Sequence, residues 1–446
     1  MKRVTWFLAW LMGWFVLVPA NAAEWPQWRG PDGQGHAVGA AGLPVTWRLG
    51  PAGREVADGE SIRWRTPVPG RAWSSPVIAG DSIWLTTAIE QGKAEEGPPP
   101  PGGRKPQPRH IAAAVTFRAI EVNRTSGEVS QDVELFTVEN PQPVHVLNSF
   151  ASPSPVFCDG RLYCQFGDYG TACVDTATGA VVWHNRSQRL NHENGPGGSP
   201  VVWKNLLIFH CDGSDQQYVV ALDTETGRQV WRTDRSGELH ENPEFKKAYG
   251  TPLVVAVGGR DILLSPGADW LYGYDPMTGA ELWKMSYGVL GFSIVPRPVV
   301  SDGLALIGTS FMKPELLAVR LGPEATSPAE ILWRQRRGIP SMPSPVIIGD
   351  AVYLFSDKGV ASCLDLATGD VRWTGRLGGS FSSSPLYADG RIYVGNRDGE
   401  MFVISPGETL DVVATNSFGE GIMASPAAVG NALYIRTEKA VYRIEK

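Results

Sequence analysis

The sequence predicts an all-β protein, an eight-bladed β-propeller of four-stranded antiparallel blades. Three observations carry that expectation. A phrase with Asp, then Gly four residues on and Trp eight residues on, recurs along the chain. A Ser/Thr-Pro pair recurs at near-constant spacing. The two ends of the repeating region each look like a fragment of one unit.

The phrase runs from Asp175 to Trp183, Asp223 to Trp231, Asp275 to Trp283 and Asp365 to Trp373. Each copy reads as a strand entering a tight turn, then a second strand that carries Trp. Asp accepts hydrogen bonds from its own turn, and Gly supplies the positive φ that closes it. The second marker stands before the first strand of each unit. It occurs at Ser75-Pro76, Ser154-Pro155, Ser199-Pro200, Thr251-Pro252, Ser344-Pro345, Ser384-Pro385 and Ser425-Pro426, with Arg297-Pro298 filling the one gap. Those eight markers lie 40 to 52 residues apart, except for one interval of 79. Four-stranded blades need about that length. The long interval contains a Pro-rich insertion over 92–110, read as a loop within the first blade.

The unit beginning at Ser425 stops at Lys446, after three strands. Ile62-Arg63-Trp64-Arg65-Thr66 reads as a last strand with nothing before it. Pairing the two closes the ring and removes two sheet edges. The propeller therefore spans 60–446. Before it, 23–59 forms an extended arm whose Trp25, Trp28 and Trp47 are expected to cover an edge or mouth of the ring. Residues 1–22 read as a signal peptide, with Lys2 and Arg3, an apolar run and Ala20-Asn21-Ala22. The apolar run is shorter than the ~20 residues that cross a bilayer, so no span is expected after cleavage. That places the protein in the periplasm or outside the cell, as a monomer.

Net charge is −6, with no basic cluster in the mature chain, which argues against nucleic acid as a partner. There are five Cys. Cys164 and Cys173 flank Gly167-Asp168-Tyr169-Gly170 symmetrically, so a tight hairpin there would set them opposite each other as a candidate disulfide. The other reading makes all five small buried hydrophobes. Two successive entry loops carry the same tripeptide, His192-Glu193-Asn194 and His240-Glu241-Asn242. On one face they would offer two imidazoles and two carboxylates to a metal or polar ligand, with Asp212, Asp215 and Asp269 nearby. Inherited loop structure, with Asn capping a turn, accounts for the same residues. The chain carries no Gly-x-Ser-x-Gly, P-loop or dinucleotide fingerprint.

The repeat resembles the tryptophan-docking motif of the pyrroloquinoline-quinone-like (PQQ-like) propellers. That superfamily includes the quinoprotein alcohol dehydrogenases and the outer-membrane assembly scaffold BamB. The resemblance implies that Trp64, Trp183, Trp231, Trp283, Trp333 and Trp373 pack against neighbouring blades and belt the ring. Gln131 stands where the first blade would have Trp, and Ser405-Pro406-Gly407 has lost the pattern. The dehydrogenases hold a quinone and Ca²⁺ in the central channel and often use adjacent Cys. This chain has no Cys-Cys pair and no Cys-x-x-Cys-His for haem. The sequence therefore favours a non-catalytic, BamB-like binding or scaffolding module for an envelope protein or carbohydrate-like ligand, with no cofactor. The alternative is a dehydrogenase that uses PQQ with calcium.

Overall fold

A computed structural model describes residues 24–49, 61–92, 108–288 and 292–446. The expected signal peptide and nearly all of the Pro-rich insertion lie outside the described residues. Among the described residues, eight blade sheets follow one another in chain order, each of four antiparallel strands, with a fifth, parallel strand added to one of them. The inner strand of each blade follows its Ser/Thr-Pro marker, or Arg297-Pro298 in blade 5, and begins at Val77, Val156, Val201, Leu253, Val299, Val346, Leu386 and Ala427. Blade 8 is completed from the other end of the chain. Ile62–Pro67 pairs antiparallel with Ala440–Glu445, as the two incomplete ends require.

The recurring phrase forms the outer hairpin of each blade and fastens it to the next. Asp175 Oδ1 accepts from Thr178 N at 3.0 Å, and the same contact recurs at Asp223, Asp275 and Asp365. Each Trp then crosses the gap. Trp183 Nε1 donates to Thr224 O at 2.9 Å, Trp231 to Pro276 O at 3.2 Å, and Trp283 to Ala325 O at 3.1 Å. Trp333 and Trp373 repeat this on Leu366 O and Gly407 O, and Trp64 closes the circle on Arg124 O. The Gly of the phrase has a second duty besides its turn. A Cβ on Gly227 would lie 2.5 Å from the Trp183 ring, and one on Gly279 or Gly369 would meet Trp231 or Trp333 in the same way.

Both irregular blades are fastened by other means. Gln131 takes the place of Trp in blade 1, and its Nε2 donates to Thr176 O at 2.8 Å, so the inter-blade hydrogen bond survives. In blade 7 the outer strand has no Trp. There the arm supplies Trp47, buried against Phe418 and hydrogen-bonded through its backbone to Asn416 of that strand.

The axis carries a second fastening, built from the Ser/Thr-Pro markers. Ser75 N donates to Ser154 Oγ at 2.8 Å, Ser154 N to Ser199 Oγ at 2.9 Å, and Ser199 N to Thr251 Oγ1 at 2.8 Å. The series resumes with Arg297 N to Ser344 Oγ, Ser344 N to Ser384 Oγ, Ser384 N to Ser425 Oγ, and Ser425 N back to Ser75 Oγ. Buried backbone N–H groups need partners, and here each takes the hydroxyl of the following blade.

The Cys164–Cys173 disulfide is not formed; all five cysteines are free thiols. The hairpin between them closes on Gln165 opposite Thr171 around a short 3₁₀ turn at Gly167–Tyr169, one residue off the assumed symmetry. Cys164 therefore faces Ala172, and Tyr163 faces Cys173. A one-residue shift sends the two side chains to opposite faces of the blade. Cys164 packs with Phe117 and Phe166, and Cys173 with Trp183 and Phe209.

Replacing Ser199 with Ala leaves the buried Ser154 N–H without its acceptor. The expected cost is about 1–3 kcal/mol of unfolding free energy, read from urea denaturation. An unchanged midpoint would show that the axial hydrogen bonds do not support the ring.

Candidate functional site

The central channel opens into a cavity of about 320 Å³ on the face where the entry loops converge. Its side wall comes from the residue two positions before each marker. Trp73, Tyr249, Val295, Met342 and Met423 are the large members, and Ser152, Gly197 and Ser382 the small ones. The floor is Trp28 of the N-terminal arm, whose Nε1 donates to Ser425 Oγ at 3.1 Å. Of the arm's three Trp residues, Trp28 lies in the channel, while Trp25 and Trp47 are buried against blades 1 and 7. No sequence signal marked the cavity wall as such. The constant offset from the Ser/Thr-Pro marker would have found all eight positions.

The rim is apolar on one side. Phe311 is 49 % exposed and Met312 62 %, on the loop between the middle strands of blade 5, and Met312 holds a positive φ of 68°. Phe292 and Leu147 extend this surface inward. On the other side the rim is charged, with Arg109, Glu193, Glu244 and Lys247. The buried Lys247 ammonium donates to Glu193 and lies 5.5 Å from the Phe292 ring centroid. Glu193 sits at φ 58°, a backbone conformation that L side chains seldom adopt, and is held there by its neighbours.

The two His-Glu-Asn tripeptides have different fates. His192 is only 2 % exposed. Its Nδ1 accepts from Gly195 N at 3.0 Å, which places the ring proton on Nε2, 2.8 Å from Asp168 Oδ1 and off line for a straight hydrogen bond. Asn194 lends its carbonyl to His145 N and to Asn148 Nδ2. His192 and Asn194 thus order the loop, and only Glu193 and Asn194 reach the cavity. In the second tripeptide, His240 accepts from Asn242 N and packs on Phe245 at 4.7 Å. Asn242 caps the short turn Pro243–Lys246, and Glu241 is exposed. The structure does not bring the two tripeptides together as a ligand set. Among the described residues, no group of three or more His, Cys, Asp or Glu could hold a metal ion.

The three aspartates expected nearby also separate. Asp212 is buried in a bidentate pair with Arg235, at 2.6 Å for both oxygens. Asp215 accepts from Asn191 N and Gln216 N at the surface. Asp269, at φ 64°, is different: burial pushes its carboxyl up to about 6, against a weaker opposite pull from His240.

A family model described as "Outer membrane protein assembly factor BamB" matches residues 168–321 and 324–413. The outer membrane protein assembly factor BamB of Yersinia pestis is 23% identical over 211 residues, covering 43% of this chain and 50% of that protein. The tetrathionate hydrolase of Acidithiobacillus ferrooxidans is 24% identical over 291 residues, covering 58% of this chain and 55% of that protein. The chain thus spans about half the length of the curated relatives it matches. Among solved structures, BamB from Moraxella catarrhalis superposes with a TM-score of 0.58 at 14% identity, covering 86% of this chain and 99% of that one. A europium-containing methanol dehydrogenase does so with a TM-score of 0.64 at 11% identity, covering 95% and 98%. At these identities the superpositions establish the fold alone.

The raised Asp269 carboxyl sets a pH dependence. Between its unfolded value near 4 and its folded value of about 6, the folded state holds more protons, so stability falls as pH rises through that window. Asp269→Asn, which tolerates the same positive φ, should raise stability at pH 7.5 by about 1 kcal/mol and have little effect at pH 4. Thermal unfolding at the two pH values checks this, and equal effects at both would refute it.

Proposed function

The chain belongs to the family described as outer membrane protein assembly factor BamB, and on that premise we propose that it is an exported, non-catalytic binding module. It holds a segment of a partner protein of the cell envelope in the mouth of its channel. One observation supports this above the others: the mouth offers a broad apolar surface, and the buried Lys247 within it is paired with Glu193. Trp73, Met342, Met423, Phe292 and the exposed Phe311 and Met312 make the free surface. Glu193 is neutralised by Lys247, and His192 beneath the rim is turned towards Asp168. Flexible thioethers and aromatic rings suit a protein surface better than the hydrogen-bonding sites that carbohydrates require.

A second reading has support from the relatives, since one match is a quinohemoprotein alcohol dehydrogenase of Pseudomonas putida, 25% identical over 158 residues. Ca²⁺ takes six to eight oxygen ligands, drawn from carboxylates, backbone and Asn or Gln carbonyls, and water. The cavity carries two carboxylates, Glu193 and Glu244, and the first is already bound to Lys247. Asn148 and Asn194 add amide oxygens to the same wall, and reconstitution with PQQ and Ca²⁺ tests this reading directly.

Phe311→Asp with Met312→Asp leaves the blades untouched, because both residues lie on the loop between the middle strands of blade 5 and outside its sheet. In isothermal titration against the purified soluble part of the host's outer-membrane β-barrel assembly machinery, the double variant should bind about 30-fold more weakly with an unchanged Tm. Undiminished binding, or dye-linked alcohol oxidation after reconstitution with PQQ and Ca²⁺, would overturn the proposal.

A further inference from the structure

The inner strand of each blade has one edge facing the axis, with N–H and C=O groups that its own sheet does not use. On the face opposite the cavity, the N-terminal arm takes up these edges one after another. Trp25 exchanges two backbone hydrogen bonds with Ile78 of blade 1, and Pro26 O accepts from Phe157 N of blade 2. Gln34 Oε1 accepts from Val300 N of blade 5, and the His36 ring bonds Ile347 O of blade 6. Gly35 O accepts from Tyr387 N of blade 7, where His36–Ala37 adds a parallel fifth strand. In all five blades the residue that meets the arm stands two positions after the marker proline.

The same position is Val202 in blade 3 and Val254 in blade 4. Among the described residues, the arm makes no hydrogen bond to either strand. Instead Val202 and Val254 line a groove of about 530 Å³ bounded by the arm on its far side. Blade 4 is the more open of the two. Its inner strand, Leu253–Val257, has five residues where every other blade has three. Strand alternation turns the groups of Ala256 the same way as those of Val254. The groove walls are apolar at Val201, Val255 and Leu321; the Arg297 guanidinium at its base is turned to Trp28 O and Gln27 Oε1, while two exposed carboxylates, Asp32 and Asp302, stand over the opening.

We propose that this open edge is a second docking site, which receives an extended segment of another polypeptide as a strand added to Leu253–Val257. The arm is the internal precedent, since it already pairs with the equivalent edge of blades 1 and 7. Main-chain hydrogen bonds supply the affinity and the two carboxylates select a segment with a basic side chain between apolar ones. The site lies at the opposite end of the channel from the mouth cavity and does not depend on what binds there.

The test uses a fluorescent, end-capped heptapeptide of alternating Val and Thr with a central Lys, and anisotropy against the whole protein. It should bind, and the same peptide with central Glu should bind about tenfold more weakly. Val254→Pro removes one outward N–H while leaving the blade's own ladder intact, as proline at an exposed edge allows. It should weaken the Lys peptide about tenfold, with Tm unchanged and with the Phe311→Asp/Met312→Asp variant binding normally. Should Val254→Pro fail to fold, a peptide N-methylated at alternate residues takes its place and should lose binding to the wild-type protein. No saturable binding, equal binding of the Lys and Glu peptides, or indifference to both the proline and the N-methyl changes would overturn the proposal. So would a concentration-dependent dimer that Val254→Pro abolishes, because a second copy would then own the groove.

Discussion

The hydrogen bonds that pass from marker to marker around the axis are the constraint on which the rest of the molecule depends. Each blade alone is a small sheet with two open edges and two apolar faces, and it has no stability of its own. The backbone N–H of a marker residue is buried and must be satisfied, and in seven of the eight blades it takes the hydroxyl of the next marker. Repeating that contact sets the distance and rotation between neighbours, so eight blades close without a gap. The outer belt of Trp indoles, set over the turn glycines of the next blade, holds the circumference to the same geometry. Inner polar contacts fix register, and outer aromatic burial adds to the apolar area buried between blades.

The single departure from the axial series explains how the arm is held. Arg297 has no hydroxyl for Thr251, and its guanidinium reaches instead to Trp28 O at 2.8 Å and Gln27 Oε1 at 3.2 Å. Arg29 lies near it and bonds the carbonyls of Gly33, Gln34 and Pro345. Burial lowers Arg29 to about 9 and Arg297 to about 10, and Arg29 also feels the repulsion of Arg297. Both stay cationic at neutral pH and depend on carbonyl oxygens for their solvation. A third buried guanidinium, Arg436, binds Ser74 and Thr86 O across the seam where blade 8 meets blade 1. Buried arginines thus stand at the two places where the repeat is interrupted: the arm dock and the ring closure.

These fastenings leave two surfaces without an internal partner, and they differ in kind. The mouth is a shaped apolar cavity floored by Trp28. The groove beside blade 4 is an unused strand edge. The arm creates both, because it seals one end of the channel under Trp28 and passes blades 3 and 4 without bonding their inner strands.

Much of the architecture was legible in the sequence, since Asp175 to Trp183 and its copies encode a turn whose chemistry is local. Ser/Thr-Pro marks where each inner strand begins for the same reason, and the loose strand at Ile62 has only one unit it can complete. The candidate site was far less legible. His192 and His240 occupy matching places in the repeat, yet one is buried against Asp168 and the other rests on Phe245, because neighbouring loops decide the environment of each imidazole. Cys164 and Cys173 fell on opposite faces through a shift of one residue in the turn between them. The sequence by itself determined the repeat, its count and its closure, all of which follow from short-range turn chemistry and the need to bury strand edges. Only the tertiary structure decided what faces the channel and which edges the arm leaves open, because those depend on contacts between residues hundreds of positions apart.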